Sequence, residues 1–149
     1  MICSGQLQVA APRAQLWAVL RDPERLAQAL PGVAEVSVAD EQHFSALARP
    51  RTALGETLVT MDFEVAEQRE GEFVRIIGAG STGENLISLD VGLSLSGDGE
   101  TTAAAWQAEV VLRGVLASLL QRGVGELMRE QVESVLAAGA AISEAERGR

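Results

Sequence analysis

Val59-Thr60-Met61-Asp62-Phe63-Glu64-Val65 is the stretch that decides the fold, because apolar side chains fill every second position with Thr60, Asp62 and Glu64 between them. An interval of two marks a strand with one dry and one wet face. The same interval returns downstream. Ile87, Leu89, Val91, Leu93 and Leu95 alternate with Ser88, Asp90, Gly92, Ser94 and Ser96. Ala104, Trp106, Ala108, Val110 and Leu112 share a phase opposed by Gln107, Glu109 and Arg113. Glu70-Gly71, Gly78–Gly83 and Gly97-Asp98-Gly99 separate these runs and Phe73–Ile77 as turn signals. Hairpin-length connections cannot join parallel strands, so the middle of the chain is an antiparallel meander.

Working outward toward the N-terminus, residues 2–9 read as an opening strand. Ala11-Pro12 then starts a helix carrying Leu16, Trp17, Val19 and Leu20, with Pro12 where a missing N–H is harmless. Asp22-Pro23 starts a second short helix, with Asp22 as cap and Pro23 in the first helical position. It presents Leu26, Ala29 and Leu30 and stops at Pro31-Gly32. Val36 and Val38, then Phe44, Ala46 and Ala48, read as two strands about an Asp40-Glu41-Gln42 turn.

Toward the C-terminus the period becomes helical. Leu116, Leu119, Leu120, Val124, Leu127, Met128, Gln131, Val135, Ala138 and Ile142 step by threes and fours, which predicts one long amphipathic helix from about Val115. Gly114, Gly123, Gly125 and Gly139 weaken it locally. Its apolar face needs a partner, and the inner face of the sheet is the only one large enough. The expected fold is α+β: a curved seven-stranded antiparallel sheet, two short helices and one long C-terminal helix. Residues 1–149 make about one domain, with 143–149 as a frayed tail.

The polar inventory narrows the chemistry. The chain carries a formal charge of −9, all 12 of its basic residues are Arg, and it has no Tyr, one His (His43) and one Cys (Cys3). A Cys/His zinc site within one chain needs more ligands than these, and an internal disulfide is impossible. The negative charge opposes nonspecific attraction to nucleic acid or an anionic bilayer. No signal peptide is visible and no apolar run is long enough for a membrane span, so the expectation is a cytoplasmic protein without stable membrane insertion. No metal, cofactor or catalytic set is expected.

Ala11-Pro12 and Trp17, Asp22-Pro23-Glu24, Leu30-Pro31-Gly32, the Gly78–Gly83 stretch and the long C-terminal helix together carry a resemblance. Along essentially its whole length the chain resembles the START/Bet v1-like (SRPBCC) superfamily, the helix-grip fold. Within it, the chain is similar to the bacterial family of the carbon monoxide dehydrogenase G-subunit. The resemblance implies an apolar cavity between the curved sheet and the long helix, and binding of a hydrophobic small molecule, lipid-like or quinone-like. It also implies an accessory role to a molybdenum-containing carbon monoxide dehydrogenase, a molybdenum hydroxylase-type enzyme. A homodimer is compatible with it. Two alternatives stand beside a noncatalytic carrier: an assembly factor with a filled core that docks on a partner, and a cyclase- or hydrolase-like enzyme. The last is disfavoured by the missing Tyr and the single His.

Several residues invite a functional reading and have a plainer one. Gly78-Ala79-Gly80-Ser81-Thr82-Gly83 spells G-x-G-x-x-G, but an alternating strand follows it, so it reads as a turn at the cavity mouth and no dinucleotide site. His43 follows a hairpin and reads as exposed; Cys3 reads as a small structural residue near the start of an edge strand. Asp62, Glu64, Asp90 and Glu109 fall on the wet phase, which argues against burial and acid–base work. Arg75 sits in Phe73–Ile77, apolar on both phases; outward it pairs with acids, the favoured reading, and inward it anchors a carboxylate or polar headgroup. The ligand-binding candidates are Trp106, Phe63, Met61, Leu89, Leu93, Leu120, Leu127, Met128, Trp17 and Arg75. Trp106 leads them, as a large ring between Ala104 and Ala108 with space beside it.

Overall fold

A computed structural model describes residues 1–52, 55–97 and 99–141. Strand β1 (Ile2–Val9) leads into α1 (Arg13–Leu20) and α2 (Pro23–Gln28). Asp22 caps α2 as its sequence predicts, its carboxylate accepting from the amides of Glu24 and Arg25. Then come β2 (Val33–Val38), β3 (His43–Ala48), the short β4 (Arg51–Thr52) and β5 (Gly55–Glu56), and the long strands β6 (Val59–Arg69), β7 (Phe73–Thr82), β8 (Asn85–Ser96) and β9 (Thr102–Arg113). Helices α3 (Ala117–Leu120) and α4 (Val124–Ala140) close the described chain.

Seven strands form one antiparallel sheet in the order β1-β9-β8-β7-β6-β3-β2. The N-terminal strand therefore pairs with the last one, Gly5 opposite Trp106, and β2 forms the other edge. Register shifts between Val33 and Glu35 and between Val65 and Glu67 mark bulges, which bend a strand and add twist. Alternation places the apolar phase of each long strand on the inner face, where α1, α2 and α4 pack.

Three expectations change. The separate β4–β5 hairpin adds two strands that the sequence does not announce. The long helix breaks: α3 is one turn, and Gly123, at φ +75°, separates it from α4. Only glycine adopts that left-handed backbone without strain, and the interval of three and four continues across the break, which hides it in the sequence. Finally, Gly78–Thr82 is strand, not turn, and the chain reverses at Gly83-Glu84. The expected helix end at Ile142, the 143–149 tail and Asp98 of the third turn lie outside the described residues.

Helix α4 crosses α1 closely. A side chain on Gly139 would meet Leu16 at 2.9 Å, and the Gln15 amide donates to the Gly139 and Ala140 carbonyls at 3.0 and 2.9 Å. Those carbonyls belong to the last turn of α4, which has no helical partners for them.

Candidate functional site

Between the inner face of the sheet and the helices lies a cavity of about 230 Å³. Its walls follow from the alternation. Strand β6 contributes Val59, Met61 and Phe63; β8 contributes Ile87, Leu89, Val91 and Leu93; and β3 contributes Phe44 and Ala46. Helix α2 and its exit supply Leu26, Leu30 and Pro31, while Leu120 of α3 and Val124, Leu127, Met128 and Val135 of α4 close the remaining side. Phe44 and Phe63 stack across β3 and β6 with ring centroids 4.9 Å apart.

Strand β7 makes room for two of these wall residues. Its inner positions 78 and 80 are glycines lying opposite Phe63 and Met61. A side chain at Gly78 would sit 3.0 Å from the Met61 methyl and the Phe63 ring, and one at Gly80 would strike the Thr60 carbonyl and the Met61 sulfur. The residues that spell a nucleotide motif thus serve packing: they let Met61 and Phe63 lean across β7.

The lining is apolar with three exceptions among the described residues: Thr57, Thr82 and Gln131. No Asp, Glu, Arg, His or Cys is among them. The Thr57 hydroxyl donates to the Gly55 carbonyl at 3.1 Å. Gln131 is half-buried on the helical stripe, three and four residues from Met128, Leu127 and Val135, and no described residue hydrogen-bonds its side-chain amide.

Of the ten candidates, Met61, Phe63, Leu89, Leu93, Leu120, Leu127 and Met128 come together on this cavity. Three do not. The Trp106 ring lies over Gly5 on the neighbouring strand, where even a methyl group would sit 2.6 Å from its indole nitrogen, and it packs into the core beyond the cavity wall. The space expected beside Trp106 is the room that Gly5 leaves on β1, and the indole ring itself fills it. Trp17 is likewise buried in the core and absent from the lining. Arg75 points outward and makes a two-pronged ion pair with Asp90, at 3.0 and 2.7 Å, on the convex face. Phe44, Leu26, Leu30 and Gln131 are wall residues that the sequence does not single out as such; Gln131 at least stands on the helical stripe.

The other titratable groups lie apart. His43 is exposed, its Nδ1 2.9 Å from Asp40, and hydrogen bonds from the Gln42 amide and from His43 hold the Asp40 carboxyl below the usual carboxylate range. Burial pushes the Cys3 thiol up, which lowers its thiolate fraction. Cys3 is on edge strand β1 and His43 on β3, five strand steps away, or roughly 24 Å along the sheet. Asp62, Glu64 and Glu109 are exposed, and Asp90 is half-buried in its ion pair on the outer face. A second depression of about 410 Å³ lies there, bordered by Ser4, Phe73, Arg75, Asp90, Gly92, Ser94, Ala105, Trp106, Gln107 and Glu109, and it mixes polar and apolar groups where the inner cavity is almost wholly apolar. Among the described residues no three His, Cys, Asp or Glu gather to hold a metal, and no helix is long and apolar enough to cross a membrane.

Five of the eight large apolar residues exposed among the described residues lie at one end of the sheet; Met1, Ile2 and Val38 are the others. Leu58 precedes β6, Leu86 is the second residue of β8, and Val115, Leu116 and Leu119 follow the end of β9, with Val115 91% exposed. The buried Asn85 ties this end together, its Oδ1 accepting from the Leu116 amide at 3.0 Å and its Nδ2 donating to the Thr82 carbonyl at 3.3 Å.

A family model described as the carbon monoxide dehydrogenase G-subunit (CoxG) matches residues 5–140. No curated protein matches the chain. Among solved structures, a conserved protein from Geobacillus kaustophilus superposes with a TM-score of 0.82 at 16% identity, covering 94% of this chain and 93% of its own. A START superfamily protein from Mycobacterium smegmatis gives 0.66 at 15% identity, with 92% of each chain covered. An aromatase/cyclase from Streptomyces sp. R1128 gives 0.69 at 16% identity, with 97% of each covered. At these identities the likeness establishes the START-like fold, and chemistry does not travel with a fold.

Proposed function

The chain belongs to the carbon monoxide dehydrogenase G-subunit (CoxG) family, and from that premise we propose that it carries a hydrophobic or amphipathic small molecule, lipid-like or quinone-like, without transforming it. The observation that carries this reading is the cavity of about 230 Å³ whose described lining has three polar side chains and no ionisable one. Binding there draws on removal of apolar ligand surface from water, worth roughly 25 cal/mol per Å². Met61, Phe63, Leu89, Leu93, Leu120, Leu127 and Met128 are the proposed contacts. A cyclase or hydrolase needs acid–base groups facing its substrate, and the described lining offers none.

The family description supports a role beside a carbon monoxide dehydrogenase; that this enzyme is molybdenum-containing and the setting cytoplasmic is the finer part of the proposal. A second reading, docking on a partner protein, is favoured by Leu58, Leu86, Val115, Leu116 and Leu119, exposed at the end of the sheet where Thr82, Ile87 and Leu112 line the cavity. It is compatible with the first if a ligand passes at that end. The open cavity weighs against an assembly factor with a filled core.

Native mass spectrometry of the purified chain, followed by denaturation and solvent extraction, tests the carrier. A copurifying apolar molecule, or displacement of an apolar dye from an internal site, is the expected result. If nothing copurifies and no apolar dye binds inside, the carrier reading is wrong.

A further inference from the structure

We infer that the Gln131 carboxamide is the recognition group of the cavity, and that the ligand is a neutral apolar molecule bearing a carbonyl or hydroxyl group. This deepens the carrier reading and rests on it. Helical geometry turns Gln131 toward the cavity, because Leu127, Met128 and Val135, its neighbours on that helix face, all line it. A ligand filling the cavity would cover this half-buried carboxamide, which is unfavourable unless the ligand itself uses its hydrogen-bonding groups.

Other half-buried or buried polar side chains around the helices are already committed. Ser134 donates to the Ala29 carbonyl at 2.7 Å, Gln15 to the end of α4, and Asn85 joins Leu116 to Thr82. Gln131 has no such partner among the described residues. A carboxamide offers two N–H donors and one acceptor oxygen, so it can donate to a ligand carbonyl or accept from a ligand hydroxyl.

Charge defines what is refused. No described lining residue can neutralise an ionised head, and an unpaired ion against an apolar lining is strongly unfavourable. The net charge of −9 further disfavours carboxylates.

The test is displacement of N-phenyl-1-naphthylamine from the full chain at pH 7 by nonane, 2-nonanone and nonanoate, in the wild type and in Gln131→Met. Nonane affinity should be unchanged or tighter in the variant, which also shows that the cavity is still formed. The ratio of 2-nonanone to nonane affinity should fall about three- to tenfold, the loss of one hydrogen bond. Nonanoate should not compete where 2-nonanone saturates. An unchanged ratio, or nonanoate competing as well as 2-nonanone, overturns the assignment while leaving the carrier intact. A fall in the ratio confined to Thr82→Val moves the recognition group to the β7–β8 turn and also overturns it. If neither the dye nor nonane binds the wild type, the carrier reading and this inference fall together.

Discussion

At Gly80 a single methyl group decides whether β7 fits under Met61. An added Cβ would run into the Thr60 carbonyl and stand 2.6 Å from the Met61 sulfur, and backbone cannot swing aside as a flexible side chain does. Gly80→Ala should therefore destabilise the fold by about 1–3 kcal/mol, as overpacking does. Gly125→Ala is the contrast: nothing lies within 4 Å, the residue is helical, and up to about 1 kcal/mol of stabilisation is expected. Urea unfolding of the two variants checks both signs. On the convex face, two hydrogen bonds from Arg75 hold the Asp90 carboxyl below the usual carboxylate range. The folded state then binds fewer protons than the unfolded state in acid. This contribution is present above the ordinary carboxylate range and is lost as pH falls through the lowered folded value. Asp90→Asn should therefore lower stability near neutrality, only slightly because the pair is solvated, and make no difference once the carboxylate is protonated; urea unfolding of both proteins from about pH 7 down to about pH 3 should show the gap closing and a flatter acid limb in the variant. Trp106 shows where reading residues stops. Its inward phase is legible, but its depth is not, since the room it fills is set by Gly5 on a strand one hundred residues away in sequence.

Among the elements, the strands are legible and the helix junctions are not. Alternation is a local property, so β6, β8 and β9 can be read from their own residues. The α3–α4 break depends on Gly123 taking a left-handed φ, and a periodic apolar stripe on both sides conceals it. The β4–β5 hairpin has too few residues to show a period at all. How α4 is held also escapes a local reading, because its end is capped by a residue from α1. Gln15 is buried and its amide serves two carbonyls of the last turn, beside the close contact of Gly139 with Leu16. Gln15→Leu should leave those carbonyls without their donor and cost about 1–3 kcal/mol. Hydrogen exchange gives the sharper check. Amides in the last two turns of α4 should lose protection while those of β8 and β9 keep theirs; uniform loss would mean that the bond supports the whole fold and not the end of α4 in particular, and no loss that α4 does not depend on it.

Over the whole molecule, stability and binding draw on the same space. A cavity of about 230 Å³ leaves its lining without partner atoms on one side, so adding carbon there stabilises the empty protein and evicts a ligand. Ala46 is buried on β3 beside Met61 and lines the cavity. Ala46→Leu should raise the stability of the empty chain by up to about 2 kcal/mol, at roughly 0.8 kcal/mol per buried methylene. A ligand that binds only the folded wild type, at a hundred times its Kd, adds about 2.7 kcal/mol. For a chain of this size that is a rise in Tm of about 5–11 °C. The two gains compete for one volume and cannot add. Thermal melts of wild type and Ala46→Leu, each with and without 2-nonanone, should show a higher Tm for the empty variant and a ligand-induced shift reduced to a small fraction of the wild-type value. Equal shifts in both proteins would place the bound molecule elsewhere, because a site that ignores added volume at Ala46 is not the space between the sheet and α4.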